Sequence, residues 1–192
     1  MNQDLTPQVQ EQIIEDFKKD KDVFSKVYEH YFEMILKYLA KRTMSGEVAY
    51  DITAETFIKA FENFHKFKWK GISIKVWLYR IAINSLKNYR KKPKAEILTE
   101  EMEGSLKQLQ TDAKAEIRNL DEALFGDDDM QKLSDAIATL NEKYQQIVSL
   151  HYFEGMSHEE ISKIIERSQS AVKSMMHRAL ENLRQILMPQ TA

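Results

Sequence analysis

The chain has 192 residues, no cysteine and a formal net charge of −2. The lack of cysteine excludes disulfides and thiolate metal sites, and no apolar run approaches the length of a membrane span. The polar, acidic first residues lack the pattern of a secretory signal peptide, so we expect a cytoplasmic protein without membrane insertion.

Glycine and proline are scarce, at 5 and 3 residues, which favours helices because both residue types break regular structure. Lysine, glutamate, leucine, alanine and methionine are abundant, and all five are good helix formers. The predicted fold class is therefore all-α, with two small helical domains joined by a linker.

The amino-terminal domain is predicted over residues 1–94. Apolar residues recur at spacings of three and four in three segments, residues 22–42, 47–63 and 74–90. Ser45 and Gly46 are expected to end the first helix, and Pro93 the third, because proline cannot continue the hydrogen-bond ladder. Three to four helices of this length can enclose one small core, and Trp77 is expected in it.

The second predicted helix has an apolar and an acidic stripe. The apolar stripe comprises Ala54, Phe57, Ile58, Phe61 and Phe64. Asp51, Glu55 and Glu62 lie on one stripe because they are spaced by four and seven residues. Unpaired acids there offer a docking face for a basic partner; the alternative is an ordinary solvated face, the commoner outcome. Nothing indicates a pocket that would shift their pKa, so no catalytic residue is predicted.

Charge is segregated along the chain. Residues 64–94 contain ten Lys or Arg and no Asp or Glu, whereas residues 95–130 contain three basic and eleven acidic residues. Residues 161–188 are mildly basic again, with five basic and two acidic residues. Local field rather than net charge governs phosphate binding. We therefore predict a nucleic-acid surface in the first block and an acidic linker over residues 95–129.

The loop after the second helix alternates cations with aromatic rings: Lys66, Phe67, Lys68, Trp69 and Lys70. This pattern suits single-stranded DNA, because charge follows the backbone while flat rings stack on bases. The third helix adds basic candidates beside its apolar stripe: Arg80, Lys87, Arg90, Lys91 and Lys92. In the alternative interpretation, Phe67 and Trp69 fill the core and the lysines are merely solvated.

Residues 130–192 predict a helix-turn-helix domain. An apolar stripe over Tyr144, Ile147, Val148 and Tyr152 precedes a capping box of Ser157 and Glu160. A short helix, a tight turn and a longer helix over residues 169–187 follow. In such units the second helix enters the major groove of DNA.

The last helix is predicted to have two different faces. Its core stripe comprises Val172, Met176, Ala179, Leu183 and Ile186. Its outer face supplies the candidate base contacts Ser170, Lys173, Ser174 and His177, and the flanking Arg178 and Arg184 could reach phosphates. An ordinary helical hairpin with a solvated outer face is the alternative that spacing alone leaves open.

Three blocks resemble the extracytoplasmic-function (group IV) sigma factors of bacterial RNA polymerase. Residues 51–61, DITAETFIKAF, are similar to the helix that binds core polymerase in this family. VWLYRIAIN from Val76, continuing to Arg90, resembles the promoter-melting helix, and residues 140–179 resemble the carboxyl-terminal helix-turn-helix. Ala54, Glu166, Ala171 and Met175 depart from the family pattern.

The resemblance implies roles by position. Asp51, Glu55 and Phe57 match the motif that docks on the polymerase clamp helices, and Glu62 shares their helix. Residues 65–73 match the segment that captures a flipped base of the minus-ten element. Arg80, Asn84, Lys87 and Arg90 match positions that contact melting DNA. Residues 168–178, which add Ser168 and Gln169 to the candidates, match the helix that recognises the minus-thirty-five element.

The sequence thus predicts an alternative sigma factor, not an enzyme, that binds core RNA polymerase and promoter DNA to initiate transcription. No cofactor or metal is implied, and an anti-sigma factor is a further candidate partner by resemblance. A stand-alone helix-turn-helix regulator is the alternative, but it leaves the acidic stripe and aromatic loop without a role. A metal-dependent bundle enzyme would need Glu-x-x-His pairs, which the five scattered histidines do not form.

Overall fold

The computed structural model describes residues 4–43, 45–68, 72–91 and 128–188. Every regular element in these ranges is helical, which confirms the all-α prediction. The helices are α1 (Pro7–Phe17), α2 (Phe24–Thr43), α3 (Gly46–Asn63), α4 (Ile74–Lys91), α5 (Asp128–Thr139), α6 (Glu142–Val148), α7 (His158–Ile165) and α8 (Gln169–Leu187). Shorter helical turns cover Lys21–Val23, Phe64–Lys66 and Ser149–Phe153. No helix within these ranges is long and apolar enough to cross a membrane.

The chain divides into two compact units, Met1–Ala123 and Leu124–Ala192. The amino-terminal unit contains α1 to α4, and the carboxyl-terminal unit contains α5 to α8. Most of the predicted acidic linker, up to residue 127, lies outside the described residues.

The core of the amino-terminal unit lies between α2, α3 and α4. Tyr38 of α2 packs edge-on against Tyr79 of α4, with ring centroids 5.2 Å apart. Ile35 and Leu78 are also fully buried, and burying such a side chain contributes about 1.5–3 kcal/mol to stability. These three helices start and end close to their predicted bounds because their apolar periodicity is strong.

The three helices predicted by periodicity do not include α1, which packs on this core. Thr6 caps α1 by accepting a hydrogen bond from Val9 N at 3.4 Å. The buried residues Gln10, Ile13 and Phe17 are spaced by three and four. Because the first of them is polar, the pattern of apolar residues alone does not reveal this helix.

Ser45 and Gly46, expected to end the first predicted helix, instead begin α3. The Ser45 hydroxyl accepts a hydrogen bond from Val48 N at 3.4 Å, and Gly46 is the first helical residue. A serine here satisfies one of the amides that a helix start leaves without a partner. Thr43 ends α2, and its hydroxyl donates to the Leu39 carbonyl at 2.9 Å.

A wide helical turn interrupts the apolar stripe predicted from Tyr144 to Tyr152. Ser149–Phe153 forms a π-helical segment, in which Glu154 N donates to the Ser149 carbonyl at 3.2 Å. A π turn contains more residues than an α turn, so it rotates the following side chains around the helix axis. Leu150 consequently reaches the core, while Tyr152, which the spacing places on the apolar stripe, is 55% exposed.

The predicted capping box and final helix cap are present in α7 and α8. Glu160 N donates to Ser157 Oγ at 3.2 Å, and Ser157 N donates to the Glu160 carboxylate at 2.8 Å. The Ser168 hydroxyl caps α8 by accepting from Ala171 N at 3.2 Å. Between the helices, Glu166 has φ 55°, a left-handed conformation that is costly for a residue with a side chain.

Replacing Gly155 with alanine is expected to destabilise the carboxyl-terminal unit by about 1–2 kcal/mol. Gly155 has φ +65°, and a Cβ added there would meet no atom within 4 Å, so the cost comes from the backbone conformation alone. Urea unfolding followed by circular dichroism would measure it. Gly155→Asn is the control, because asparagine tolerates this region better and should cost less. Equal stability of wild type and both variants would contradict the prediction.

Candidate nucleic-acid interface and acidic face

Asp51, Glu55 and Glu62 lie along α3 and are here called the acidic face. Asp51 is half-buried and forms no ion pair with any residue that the structure describes. Its burial, and then the charge of Glu47 one turn earlier, raise the pKa of the Asp51 carboxyl. A half-buried carboxylate next to a like charge is therefore destabilised in the free protein and would gain from a basic partner.

Glu55 corrects the expectation that the acidic face is unpaired. The Lys59 ammonium donates a hydrogen bond to the Glu55 carboxylate, one turn away on α3. Lys59 Nζ also donates to Ser85 Oγ of α4 at 3.1 Å. The glutamate is about one-third exposed, so a partner would have to compete with Lys59 for it.

Only part of the apolar stripe of α3 is buried. Phe57, expected to contact polymerase, is buried, with ring centroids 5.2 Å from Tyr28 and 5.6 Å from Phe32. It cannot offer its ring to a partner and instead holds α3 against α2. By contrast, Ile58 and Phe61, which belong to the same apolar stripe, are 46% and 44% exposed.

Exposed Ile58 lies within the acidic face, since it follows Glu55 by three residues and precedes Glu62 by four. Phe61 lies one turn further, and its ring contacts Phe24 at 5.4 Å on its inner side. Neither residue was predicted to lie on the surface. The spacing of seven residues from Asp51 to Ile58 could have indicated that Ile58 lies on the same side of the helix as the acids. The face thus combines carboxylates with exposed apolar surface, a composition suited to protein docking.

The basic and aromatic loop is only partly described, since Trp69 and Lys70 lie outside the described residues. Lys66 and Lys68 are exposed, as a DNA-contacting role requires. Phe67 is buried, stacked on Phe64 with centroids 6.0 Å apart and tilted against Trp77 at 4.8 Å. Its predicted role in stacking on bases is therefore wrong for this conformation: the ring anchors the loop to the core. Trp77, expected in the core, is half-buried beside it.

The outer face of α4 presents a row of polar and basic side chains. Four of them, Asn84, Lys87, Arg90 and Lys91, are exposed. Arg80 is half-buried on the same helix. Arg90 Nη2 also donates to the Arg42 carbonyl at 2.8 Å, so this arginine ties α4 to the end of α2 as well. The opposite side of α4 is buried through Leu78, Ala82 and Leu86.

On the first half of α8, the residues of the predicted core stripe are buried and the candidate DNA contacts are exposed. Val172, Met176, Ala179 and Leu183 are buried. The candidate DNA contacts are exposed: Ser168, Gln169, Ser170, Lys173, Ser174, His177 and Arg178. The Ser168 hydroxyl is engaged in capping the helix, which limits its part in base recognition. Ile186 corrects the predicted core stripe: it is exposed because α8 buries no described residue beyond Leu183.

The histidines do not gather into a metal site. His151 and His158 stack, with ring centroids 4.9 Å apart, and His151 Nδ1 hydrogen-bonds to the Met156 carbonyl at 2.8 Å. Among the described residues, no group of three or more His, Asp or Glu side chains is placed to hold a metal ion.

Both units match known protein families. The family model for Sigma-70 region 2 matches residues 27–96, and that for Sigma-70, region 4 matches residues 130–183. The RNA polymerase sigma factor YlaC of Bacillus subtilis is 30% identical over 162 residues, 84% of this chain and 90% of that protein. The ECF RNA polymerase sigma-E factor of Escherichia coli is 29% identical, covering 94% of each. The ECF RNA polymerase sigma factor BldN of Streptomyces coelicolor is 26% identical over 88% of this chain, which spans only 61% of that protein.

Solved structures share the fold. CnrH, in complex with the cytosolic domain of CnrY, superposes with a TM-score of 0.62 at 16% identity, over 95% of this chain and 99% of that one. The sigma factor RpoE of Bartonella quintana, in complex with the anti-sigma factor NepR, gives a TM-score of 0.61 at 19% identity, over 87% and 98%.

Proposed function

The chain belongs to the extracytoplasmic-function sigma factors of bacterial RNA polymerase, and we propose how its two units divide the work of transcription initiation. In this proposal the acidic face binds core polymerase, α4 and the loop before it engage the minus-ten element, and α8 recognises the minus-thirty-five element. We propose that this transcription initiation takes place in the cytoplasm, where the polymerase acts. The proposed domains are residues 1–94 and 130–192, with an acidic linker over residues 95–129.

The observation that carries the proposal is the pairing of an acidic face on α3 with a cationic face on α4 in one small unit. A stand-alone DNA-binding regulator would need only the helix-turn-helix of the carboxyl-terminal unit. The acidic face repels phosphates, so its complement is a basic protein surface rather than nucleic acid. Asp51 supplies an uncompensated charge there, and Ile58 and Phe61 supply apolar contact area.

Contacts to promoter DNA are assigned by exposure and charge. Lys66, Lys68 and Lys87 are exposed cations suited to the phosphates of a melting duplex. On α8, Gln169 and Lys173 have the donor and acceptor groups that distinguish base edges in the major groove. Phosphate contacts would fix the register of the chain on DNA, while the α8 residues would supply sequence preference.

An anti-sigma factor is proposed as a third partner. The solved RpoE of Bartonella quintana is in complex with the anti-sigma factor NepR, and CnrH is in complex with the cytosolic domain of CnrY. Such a protein would have to cover the acidic face or the DNA-binding faces to keep this chain from initiating transcription.

Mixing the chain with core RNA polymerase and separating the products by size exclusion tests the proposal. Co-elution is expected, and the resulting holoenzyme should transcribe specific members of a randomised promoter library. If the chain does not co-elute with polymerase but binds duplex DNA tightly alone, it would act as a stand-alone regulator. A characterised sigma factor loaded in parallel controls for the activity of the polymerase.

Replacing Lys59 with methionine is expected to tighten binding to core polymerase by about two- to fivefold. The change removes the intramolecular competitor for Glu55 and makes the acidic face more negative. Fluorescence anisotropy of labelled chain, titrated with polymerase, would measure the affinity.

Lys37→Met is the matched control, because Lys37 forms an equivalent one-turn pair with Glu33 on a different helix, α2. The control should bind polymerase like wild type. Weaker binding of Lys59→Met, at unchanged folding, would mean that Lys59 itself contacts the polymerase and that Glu55 is not the group it competes for.

A further inference from the structure

We infer that Gln10 is a positioning residue for promoter opening, which rests on the proposed role of α4 and the preceding loop. Its side chain lies in the core of the amino-terminal unit and is 1% exposed. It belongs to α1, which precedes the residues matched by the Sigma-70 region 2 family. Its action would be indirect, through the backbone of the helix that contacts DNA.

Gln10 is the hydrogen-bond acceptor for the first backbone amide of α4, although the two residues lie far apart in the sequence. Its Oε1 accepts a hydrogen bond from Ile74 N at 2.7 Å, across 64 residues of sequence. Its Nε2 donates to the Leu5 carbonyl at 2.5 Å, so both ends of the amide are engaged. The first amide of a helix has no partner within the helix, and Ile74 is buried away from water. Without Gln10 this amide would lose the partner that fixes it.

The other end of the loop is held by the same helix. Phe17 of α1 packs edge-on against Phe64, with ring centroids 4.8 Å apart. Phe64 in turn stacks on Phe67, which touches Trp77 at 4.8 Å. The helix α1 therefore contacts Phe64, which precedes the basic and aromatic loop, and the amide of Ile74, which follows it.

Two exposed cations, Lys66 and Lys68, flank the buried Phe67. A shift of the first turn of α4 would move Trp77, then Phe67, and with them both lysines. Positioning matters here because capture of an unpaired base needs the binding groups to be in place before the duplex opens. In this inference the buried Gln10, on α1, fixes the position of the first turn of α4 and, through Trp77 and Phe67, that of the two lysines that would bind single-stranded DNA.

The test measures binding of single-stranded DNA by the holoenzyme. The probe is a fluorescein-labelled non-template strand spanning the minus-ten element of a promoter selected by the wild-type holoenzyme. Gln10→Met has a similar size but makes neither hydrogen bond, and about tenfold weaker probe binding is expected. Affinity for core polymerase, and for a duplex carrying only the minus-thirty-five element, should be unchanged. Gln10→Glu keeps an acceptor for Ile74 N and should recover part of the loss.

Loss of stability alone is controlled with Ile52→Val and Ile52→Ala, a mild and a severe truncation of a buried side chain that are expected to bracket the unfolding free energy of Gln10→Met. Ile52 is buried in α3 and takes no part in the ring contact or the hydrogen bond by which α1 holds Phe64 and Ile74. Equal loss of probe binding in variants of equal stability would overturn the inference, as would unchanged binding by Gln10→Met. Failure of wild-type holoenzyme to bind the probe, despite selecting promoters, would instead overturn the proposed role of the loop.

Discussion

Core RNA polymerase is expected to lose its affinity for the chain when Asp51 and Glu55 are both replaced by lysine. The double reversal turns two attractive contacts with a basic surface into two repulsive ones. Removing one member of a hydrogen-bonded interfacial charge pair costs about 2–5 kcal/mol, so reversing two charges should weaken binding by more than about a hundredfold. Anisotropy titration with labelled chain would measure the change.

The same substitutions should leave the fold in place. Asp51 is half-buried and Glu55 is about one-third exposed, so lysine side chains can reach water from both positions. Glu33→Lys is the control, because it reverses a comparable exposed charge on α2. If the double variant binds polymerase normally, the acidic face is an ordinary solvated surface, and the docking assignment is wrong.

The pH dependence of Asp51 gives an independent measure of the same site. Its pKa is raised in the folded protein by burial and then by Glu47, so the folded state holds this proton more tightly than the unfolded state. The contribution of Asp51 to stability therefore improves as pH falls through the raised pKa, opposite to the usual behaviour of a carboxylate. Polymerase affinity should change in the other direction, because protonation removes the charge.

Asp51→Asn separates these two effects at neutral pH. The amide removes the destabilising ionisation, so the thermal midpoint should rise slightly while polymerase binding weakens. Such opposed changes are typical of residues kept for function at the expense of stability. A lower thermal midpoint would show that the ionised carboxylate has a stabilising partner in the folded protein.

Periodicity predicted α2, α3, α4 and α8 because each has a strong apolar stripe. It missed α1, whose stripe includes the polar Gln10, since a buried amide with both ends hydrogen-bonded does not differ in sequence from a solvated one. It also misplaced Tyr152, because a π turn changes the register of the helix without a mark in the apolar pattern. Both errors arise from tertiary or backbone features that a regular period does not include.

The candidate site was predictable in its charges but not in its aromatic residues. Exposed cations such as Lys66 and Lys87 follow from composition, because an unpaired ammonium is rarely buried. Which rings lie inside could not be derived, since Phe67 and Phe61 both belong to runs compatible with either side. The structure buries Phe67, predicted to stack on bases, against Trp77 and exposes Phe61, which belongs to the apolar stripe of α3.

Promoter-directed transcription is expected to fall when Lys173 and His177 are both changed to alanine, while binding to core polymerase stays unchanged. Both side chains are exposed on α8, one turn apart and outside the buried stripe that contains Val172 and Met176. Each specific base contact contributes about 1–3 kcal/mol, so the pair should reduce promoter affinity by about tenfold or more. In vitro transcription on a selected promoter, at several holoenzyme concentrations, would measure the loss.

Gln185→Ala is the control on the same helix, because Gln185 is exposed beyond the last buried residue of α8 and should not reach the groove. The dependence of affinity on salt then distinguishes the kinds of contact. If Lys173 binds a phosphate, Lys173→Ala should lower the slope of log affinity against log salt by about one and weaken all promoter variants equally. If Lys173 binds a base, Lys173→Ala should leave the salt slope unchanged, and the variant should distinguish less well between bases at one promoter position. A parallel loss of polymerase binding would place the residues at the polymerase interface or show that the unit has unfolded, and α8 would not be the recognition helix.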